Sequence, residues 1–402
     1  MMENKLGGFS LCALWFGASV SLAEIMTGSL IAPLGIKTGI AVILIGHLIG
    51  TLILSVTGII GFKERKPALM ASRMSMGKYG SYLISLFNIV QLLGWTAIML
   101  IQCARSMQSI TSELLGFDNF AVLVIGIGIL VAIWALNRDK GISTLNNIAV
   151  LLLLVLCLVM LKAIMGQGTI KPIDSTISIG LALELCIVMP LSWVPLISDY
   201  TMSGKSLQGS FLGSFVGYFV GSSFMFIIGL LFALYTGLSD PVSSINSLNL
   251  GYAALLIVIL STVTTTFLDV YSAVMSTLNL SPTINRTNLI LLFSALGTLL
   301  ALFFPMEQYQ NFLYMIGSLF APAFSVIIAD YFLYRADRSG HIFNLPGLIA
   351  IVVGIATYYL VLGLDLVIGS TIPSMLVTVL VYAAARSIYA ALAPAHLTHD
   401  TL

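Results

Sequence analysis

The sequence predicts an all-α membrane protein with twelve membrane-spanning helices, and three observations support this prediction. Of its 402 residues, 59% are hydrophobic and only 8% are charged, whereas about 25% of the residues of a soluble protein are charged. The apolar residues form stretches long enough to cross a bilayer, which takes about 20 helical residues. Two of these stretches also combine a central acidic residue with helix-breaking residues, a pattern typical of transporters.

The predicted spans follow one another through short polar connections and leave no extramembrane domain. The longest connection, 63–80, is predicted as a loop with a short amphipathic helix. The whole chain, 1–402, is therefore predicted as one transmembrane domain. We number the spans 1 to 12 along the chain: 9–34, 39–62, 80–110, 118–137, 143–165, 177–199, 209–237, 250–275, 287–305, 310–334, 343–363 and 366–388.

The lysines and arginines predict the orientation. With the N-terminus inside the cell, 13 of the 17 basic residues fall on the cytoplasmic side. Basic residues are enriched in cytoplasmic loops, so this distribution favours an even number of spans with both termini in the cytoplasm. We expect a multi-pass protein of the inner (cytoplasmic) membrane.

Composition argues against several other classes of protein. The net charge is +1 and no dense basic patch is present, so we expect no nucleic-acid partner. The four cysteines lie apart, inside apolar stretches, without the spacing of metal ligands, which predicts neither disulfides nor a zinc site. No cofactor and no obligate protein partner are predicted.

Span 1 is the stretch around which the rest of the chain is organised. It carries Glu24 near its middle, and a charge at membrane depth costs several kcal/mol unless it is paired or hydrated. The small and hydroxyl residues around Glu24 allow a helix to open and to turn its carbonyl groups toward an ion or a ligand. The alternative is a packing face in which a protonated Glu24 bonds to a neighbouring helix.

Span 6 is the second interrupted stretch. It carries Glu184, and then Pro190 and Pro195, each of which removes a backbone hydrogen bond. Interrupted helices at equivalent places in two halves of a chain point to a transporter with inverted repeats. We predict one repeat over about 9–165 and a second, of opposite orientation, over about 177–334. Two extra helices over about 343–388 follow the repeats.

The residues of spans 3, 6, 8 and 10 resemble a known family. Residues 193–201 resemble the W-x-P-x-x-x-D-Y segment of nucleobase–cation symporters, the purine, cytosine, allantoin and hydantoin permeases. Span 10 adds G-S-x-x-x-P at 317–322 and D-Y-F-L-x-R at 330–335. Span 3 contributes Gly94-Trp95, and span 8 contributes Thr264-Thr265 and the residues from Asp269 to Ser272. The resemblance covers essentially the whole chain in helix number and motif order.

This resemblance implies a LeuT-like fold, the ten-helix inverted repeat of amino-acid and sodium symporters, with two extra helices. The short chain, Glu24 and span 8 are most similar to the bacterial branch proposed to carry hydroxymethylpyrimidine, a thiamine precursor. The family pattern also implies a bound Na⁺, with carbonyl groups near Ala18 and Ser21 and hydroxyl groups of Thr264 and Thr265 as ligands. Two alternatives stay open. One is coupling to H⁺ instead of Na⁺. The other is that the threonine hydroxyl groups bond only to the backbone carbonyl group one helical turn earlier and bind no cation.

The chain departs from the family pattern at three positions. Met202 stands where many members have an arginine two residues after the D-Y pair. Trp193 lies six residues before Asp199, whereas the binding tryptophan of hydantoin-type members lies about nine before it. Asp269 stands where several relatives have asparagine.

A site for a flat heterocycle needs an aromatic face for stacking and polar groups at the ring edge. Trp95 is a stacking candidate, and Gln91 lies one helical turn before it. Packing or interhelical bonding is the alternative for both of these residues, and a structural role is the alternative for Glu184. The resemblance suggests a stacking role for Trp193. The predicted substrate-binding residues are Glu24, Gln91, Trp95, Glu184, Trp193 and Asp269.

These residues predict a secondary active transporter that imports a small aromatic heterocycle by alternating access, driven by a cation gradient. Hydroxymethylpyrimidine is the leading substrate, cytosine or another nucleobase the alternative, and an amino-acid symporter a more distant one. An intramembrane enzyme is also distant, because the membrane acids stand singly on separate spans without D-D-x-x-D or G-x-S-x-G. No catalytic residues are predicted. The expected partners are the substrate, the coupling cation and the lipid bilayer.

Overall fold

The computed structural model describes residues 5–137, 142–165, 169–237, 251–335 and 337–392. Helices account for most of these ranges, as the apolar composition requires. We number the α-helices in chain order: α1 Gly8–Ser19, α2 Leu22–Ser29, α3 Gly35–Glu64, α4 Ala68–Leu115, α5 Phe120–Leu136, α6 Ile142–Met165, α7 Ile179–Leu191, α8 Ile197–Thr201, α9 Leu207–Thr236, α10 Gly251–Leu280, α11 Arg286–Phe303, α12 Tyr309–Ala329, α13 Leu345–Leu364 and α14 Thr371–Leu392.

The order of these helices matches the predicted spans. Within the described ranges, eight helices are long and apolar enough to cross a membrane, and the pair α1–α2 would make a ninth span. Three shorter apolar helices, α5, the described part of α6, and α7, stand at predicted spans 4, 5 and 6. The prediction of a polytopic helical membrane protein is therefore confirmed.

The connection predicted before span 3 contains a helix of its own. Helix α4 begins at Ala68 and is interrupted at Gly77, which has φ 74°. A side chain is disfavoured there by the backbone conformation and by space, because a Cβ atom would lie 2.9 Å from the carbonyl oxygen of His341. Gly77 therefore separates a short first segment from the long helix of span 3.

Both of the spans predicted to be interrupted are interrupted. Helices α1 and α2 meet at an angle of 60°, and the Ser21 hydroxyl accepts a hydrogen bond from the Glu24 backbone N–H at 3.4 Å, which caps α2. In span 6, α7 ends at Leu191 directly after Pro190, and α8 resumes at Ile197. These two breaks expose backbone polar groups in the interior of the protein.

The helices form two groups that enclose the centre of the protein. One group, in which α1, α2, α3, α7 and α9 pack on one another, contains both interrupted spans. In the other group, α4 packs on α5, α10 and α11, and α6 packs on α10. Helices α12, α13 and α14 pack together against α7 and α4.

Close packing between α2 and α9 depends on glycines, and we expect Gly28→Ala to destabilise the protein. A Cβ atom at Gly28 would lie 2.2 Å from the Phe226 carbonyl oxygen, so the two helices have to separate. The expected loss is about 1–3 kcal/mol of unfolding free energy. Thermal unfolding of the purified protein in detergent measures it. Gly126→Ala on α5 is the matched control, because a Cβ atom there meets no atom within 4 Å; equal stability of the two variants would contradict the prediction.

Candidate substrate and cation site

A cavity lies between the two groups of helices, at the breaks of spans 1 and 6. Its lining is mostly apolar with a few polar groups, which is the usual character of a small-molecule site. Each group of helices contributes one wall. The first wall is formed by Ala18, Ser21, Ala23, Glu24, Met189, Ser192, Trp193 and Leu196, and the second by Leu92, Trp95, Met99, Thr265 and Asp269.

Glu24 stands in the first turn of α2, and its side chain is buried. One carboxyl oxygen accepts a hydrogen bond from the Tyr218 hydroxyl at 3.0 Å, and the other lies 2.6 Å from the Ser222 hydroxyl. Both partners belong to α9. The helix dipole at the N-terminus of α2 also favours a negative charge at this position. The carboxyl group is therefore held in one orientation at the wall of the cavity.

Two tryptophan rings line the same cavity. Trp95 on α4 makes edge contacts with Tyr309 and Phe312, at centroid distances of 6.3 and 5.4 Å. Trp193, in the break of span 6, makes an edge contact with Trp15 at 5.8 Å. Edge contacts of this kind are favourable and restrict the orientation of each ring. The cavity thus has two fixed aromatic surfaces.

Asp269 places a second carboxyl group on the cavity wall, opposite the interrupted spans. It lies on α10, one helical turn after Thr265, which also lines the cavity. Carboxyl oxygens accept hydrogen bonds from N–H groups. The two acids therefore suit a ligand that presents donors at its edge.

Gln91 is buried beside the cavity and connects two structural elements. Its amide group donates to the Asn88 side chain and to the backbone carbonyl of Ser192, each at 2.8 Å. The bond to Ser192 ties α4 to the break of span 6. The structure therefore places Gln91 in the interhelical role that the sequence left open.

Glu184 lies away from the cavity, against α13 and α14. Its carboxyl group accepts hydrogen bonds from the Tyr358 hydroxyl at 2.7 Å and from the backbone N–H groups of Ser370 and Thr371 at 2.7 and 2.9 Å. The Thr371 hydroxyl adds a fourth bond at 2.5 Å. Glu184 therefore caps the N-terminus of α14, and we withdraw it from the candidate binding residues.

The predicted cation ligands are only partly brought together. Ala18, Ser21 and Thr265 line the cavity, whereas Thr264 is buried and donates to the Ser261 carbonyl oxygen at 3.1 Å. Among the described residues, no group of three or more His, Cys, Asp or Glu side chains could hold a metal ion. The Na⁺ ligands remain a prediction.

Tyr218, Ser222 and His47 are neighbours of Glu24 that the sequence analysis did not select. His47 on α3 places Nε2 at 2.6 Å from the Ser222 hydroxyl and Nδ1 at 2.9 Å from the Ile43 carbonyl oxygen. A lone histidine in an apolar span was the available signal, together with Tyr218 and Ser222 on one face of α9. Only the packing of α2, α3 and α9 reveals that these signals belong together.

Comparisons with known proteins agree with this architecture. A family model described as permease for cytosine/purines, uracil, thiamine, allantoin matches residues 3–383. The cytosine permease of Escherichia coli (strain K12) is 25% identical over 345 residues, which are 82% of this chain and 79% of that protein. A Bacillus subtilis (strain 168) protein that carries the name purine-cytosine permease YxlA is 24% identical over 362 residues, 82% of this chain and 76% of that protein.

Among solved structures, the chain is similar to Mhp1 in two states. The inward-facing conformation has a TM-score of 0.83 at 20% identity, over 100% of this chain and 95% of that one. A closed conformation with bromovinylhydantoin bound has a TM-score of 0.81 at 20% identity, over 98% and 94%. This likeness shows the fold, and the predicted LeuT-like architecture is confirmed.

Proposed function

Since the chain belongs to the family of permeases for cytosine/purines, uracil, thiamine and allantoin, we propose that it imports hydroxymethylpyrimidine. Membership confirms the predicted resemblance to nucleobase–cation symporters and makes the chain a nucleobase-type, cation-coupled membrane transporter. Its relatives are permeases, which supports a transporter rather than an intramembrane enzyme. The choice of substrate among aromatic heterocycles is our proposal.

One observation carries this choice: two tryptophans and two carboxyl groups line a single cavity. Trp95 and Trp193 offer surfaces on which a flat ring can stack, and Glu24 and Asp269 accept hydrogen bonds. An aminopyrimidine presents an aromatic face and an exocyclic amine, so it matches both features. The carboxylate of an amino acid would be repelled by the two acids, which disfavours an amino-acid substrate.

Cytosine is the second candidate, because it also carries an exocyclic amine on a flat ring. The name of the Escherichia coli relative supports this alternative. Hydroxymethylpyrimidine lacks the ring carbonyl of cytosine and carries a hydroxymethyl group, for whose hydroxyl Ser21, Ser192 and Thr265 on the cavity wall are candidate partners. Direct competition between the two compounds separates the candidates.

We propose that transport proceeds by a rocking of the two groups of helices about the cavity. The group with α1, α2, α3, α7 and α9 would move against the group with α4, α5, α10 and α11, as expected for a transporter with broken helices at a central site. The proposed repeats comprise 9–165 and 177–334, with 343–388 outside them. The basic residues favour cytoplasmic termini in an inner membrane.

Uptake of labelled hydroxymethylpyrimidine into proteoliposomes tests the proposal. We expect accumulation under an imposed cation gradient, with Na⁺ and H⁺ gradients applied separately, and only weak competition by excess unlabelled cytosine. Strong competition by cytosine, or transport of cytosine alone, would keep the transporter class and replace the substrate. Liposomes without protein measure the background leak.

We expect Trp95→Ala to weaken substrate binding strongly. Stacking of a base on an aromatic side chain contributes about 1–3 kcal/mol, so affinity should fall by about 5–150-fold. Trp95→Phe keeps an aromatic face, so its affinity for the substrate should fall less. Equilibrium binding of the labelled substrate to purified protein measures both. Trp134→Ala on α5 is the matched control, since Trp134 does not line the cavity among the described residues; an equal loss in the control would argue against stacking at Trp95.

A further inference from the structure

We propose that a pocket between the ends of α3 and of span 10 binds the headgroup of phosphatidylethanolamine, a zwitterionic membrane lipid. This pocket is separate from the substrate cavity, because the two share no lining residue. Its charged lining residues are Lys63, Glu64, Arg335 and Asp337. In the orientation proposed above, these helix ends face the cytoplasmic leaflet of the membrane. The inference does not depend on the proposed substrate.

The pocket brings together charges of both signs that are not paired with one another. Lys63 and Arg335 supply two cations, and Glu64 and Asp337 supply two anions. Among the described residues, no ion pair within 4 Å joins any two of these four groups. A ligand with one anionic and one cationic group can therefore form charge-assisted hydrogen bonds with both kinds of side chain at once.

Hydrogen bonds fix both acids of the pocket through one oxygen each. The Tyr331 hydroxyl donates to Glu64 at 2.6 Å. One carboxylate oxygen of Asp337 accepts from the backbone N–H and the hydroxyl group of Ser339, at 2.9 and 2.5 Å. The hydrogen bond from the Ser339 hydroxyl lowers the pKa of Asp337 from its ordinary value, so this acid is charged at neutral pH. The second oxygen of each acid can accept from the ammonium group of a ligand.

The backbone that forms one side of the pocket departs from an ordinary helix end. A π-helical turn, Asp330–Tyr334, follows α12, and π-helical turns are rare and frequently occur at functional sites. The next residue, Arg335, has φ 53°, a left-handed conformation that is uncommon for residues other than glycine. Through this turn, the end of span 10 contributes Tyr331, Phe332 and Arg335 to the pocket.

The position of Lys63 favours a lipid over a soluble ligand. Ile45 and Leu52 on α3 are 51% and 47% exposed, and exposed apolar side chains on a membrane-spanning helix face the acyl chains. Lys63 follows them by about five and three complete helical turns, so it continues the same face of α3 at the end of the span. A lipid can therefore lay its acyl chains along α3 and place its headgroup in the pocket.

Phosphatidylethanolamine matches the charges of the pocket better than two other common phospholipids. Its phosphate accepts hydrogen bonds from Lys63 and Arg335, and its primary ammonium group donates to Glu64 and Asp337. Phosphatidylglycerol carries no cation, so both acids would repel it. Phosphatidylcholine carries a cation that has no N–H donor. We therefore expect the pocket to prefer phosphatidylethanolamine over both.

Native mass spectrometry of the purified, delipidated protein in detergent tests this preference. The three phospholipids, with identical acyl chains, are titrated one at a time, and the mass of the complex counts the bound lipids. We expect one phosphatidylethanolamine to bind at least about fivefold more tightly than either of the other lipids. A wild type that prefers phosphatidylglycerol, or that binds all three lipids equally, would overturn the proposal.

Two variants separate the roles of the charges. Asp337→Asn removes a partner of the ammonium group, so it should weaken phosphatidylethanolamine by at least about fivefold and leave phosphatidylglycerol bound as well as before or better. Lys63→Ala removes a partner of the phosphate and should weaken both lipids. The matched controls are Asp174→Asn, at an exposed acid outside the pocket, and Lys37→Ala, at the other end of α3. A variant that behaves as its control does would overturn the assignment of that charge.

Two further measurements complete the test. Glycerophosphoethanolamine, which is the soluble headgroup without acyl chains, should not displace the bound lipid at equal concentration. Displacement by this compound would overturn the lipid and indicate a soluble zwitterion. If Asp337→Asn does not fold, Glu64→Gln tests the same change of preference, because it keeps the side-chain volume and removes the charge. None of these measurements uses transport, so a failure of the proposed substrate leaves their outcome unchanged.

Discussion

Replacement of Glu24 by alanine should reduce the affinity for hydroxymethylpyrimidine by about 5–150-fold, because a buried amine that loses its hydrogen-bond acceptor costs about 1–3 kcal/mol. The substitution also removes the acceptor for Tyr218 and Ser222 on α9. Glu24→Gln keeps an oxygen acceptor and most of the volume, so its loss should be smaller. Equilibrium binding to the purified protein gives these affinities.

A change in the ligand tests the same contact independently. A pyrimidine that lacks the exocyclic amine cannot donate to the Glu24 carboxyl, so it should bind wild type and Glu24→Ala with similar weak affinity. The difference between the two ligands across the two proteins isolates the contact. Glu113→Ala removes an exposed acid at the end of α4 and is the control. If both ligands lose the same affinity on substitution of Glu24, the acid acts through the fold of the site and not through the amine.

The fold was predictable because its signals are local. Continuous apolar stretches predict the membrane spans. Small residues predict the break of span 1, and Pro190 predicts the break of span 6. The helix ends in the structure differ from the predicted ends by a few residues, because capping and packing decide where a helix ends. At α4 the shift is larger, since Gly77 allows a helix to begin at Ala68 and then change direction.

The candidate site was only partly predictable, and the two acids of the interrupted spans show why. Glu24 and Glu184 look alike in the sequence, as single carboxyl groups in apolar stretches. Their partners lie far along the chain: Tyr218 and Ser222 are 194 and 198 residues from Glu24, and Tyr358 is 174 residues from Glu184. Tertiary packing alone assigns one acid to the cavity and the other to the cap of α14.

The sequence predicted the placement of some candidate residues and not of others. Trp95, Trp193 and Asp269 line the cavity as expected, because each stands at a span that has to face the centre of the fold. Gln91 shares a helix face with Trp95 but is turned toward Ser192, where a broken helix leaves a carbonyl oxygen without its helical partner. A polar side chain near a site can therefore contact the substrate or bond to a neighbouring helix. Here the unpaired backbone carbonyl of a broken helix favours the second role.

Glu184 is expected to matter for stability and not for substrate affinity. Glu184→Ala leaves four buried donors, from Tyr358, Ser370 and Thr371, without their acceptor. Each buried unsatisfied group costs about 1–3 kcal/mol, so we expect a loss of at least about 3 kcal/mol and a clear fall in unfolding temperature in detergent. Thr371→Val removes only one of these hydrogen bonds and should cost about 1 kcal/mol.

The same preparations decide between a structural and a binding role for Glu184. Because Glu184 caps α14 from outside the cavity, folded Glu184→Ala protein should bind hydroxymethylpyrimidine within about twofold of wild type, a difference well below 1 kcal/mol. Binding measured well below the unfolding temperature, and normalised to the folded fraction, gives that affinity. A variant that unfolds at the wild-type temperature but loses affinity would return Glu184 to the substrate site. It would also mean that α7 presents a different face to the cavity when substrate is bound.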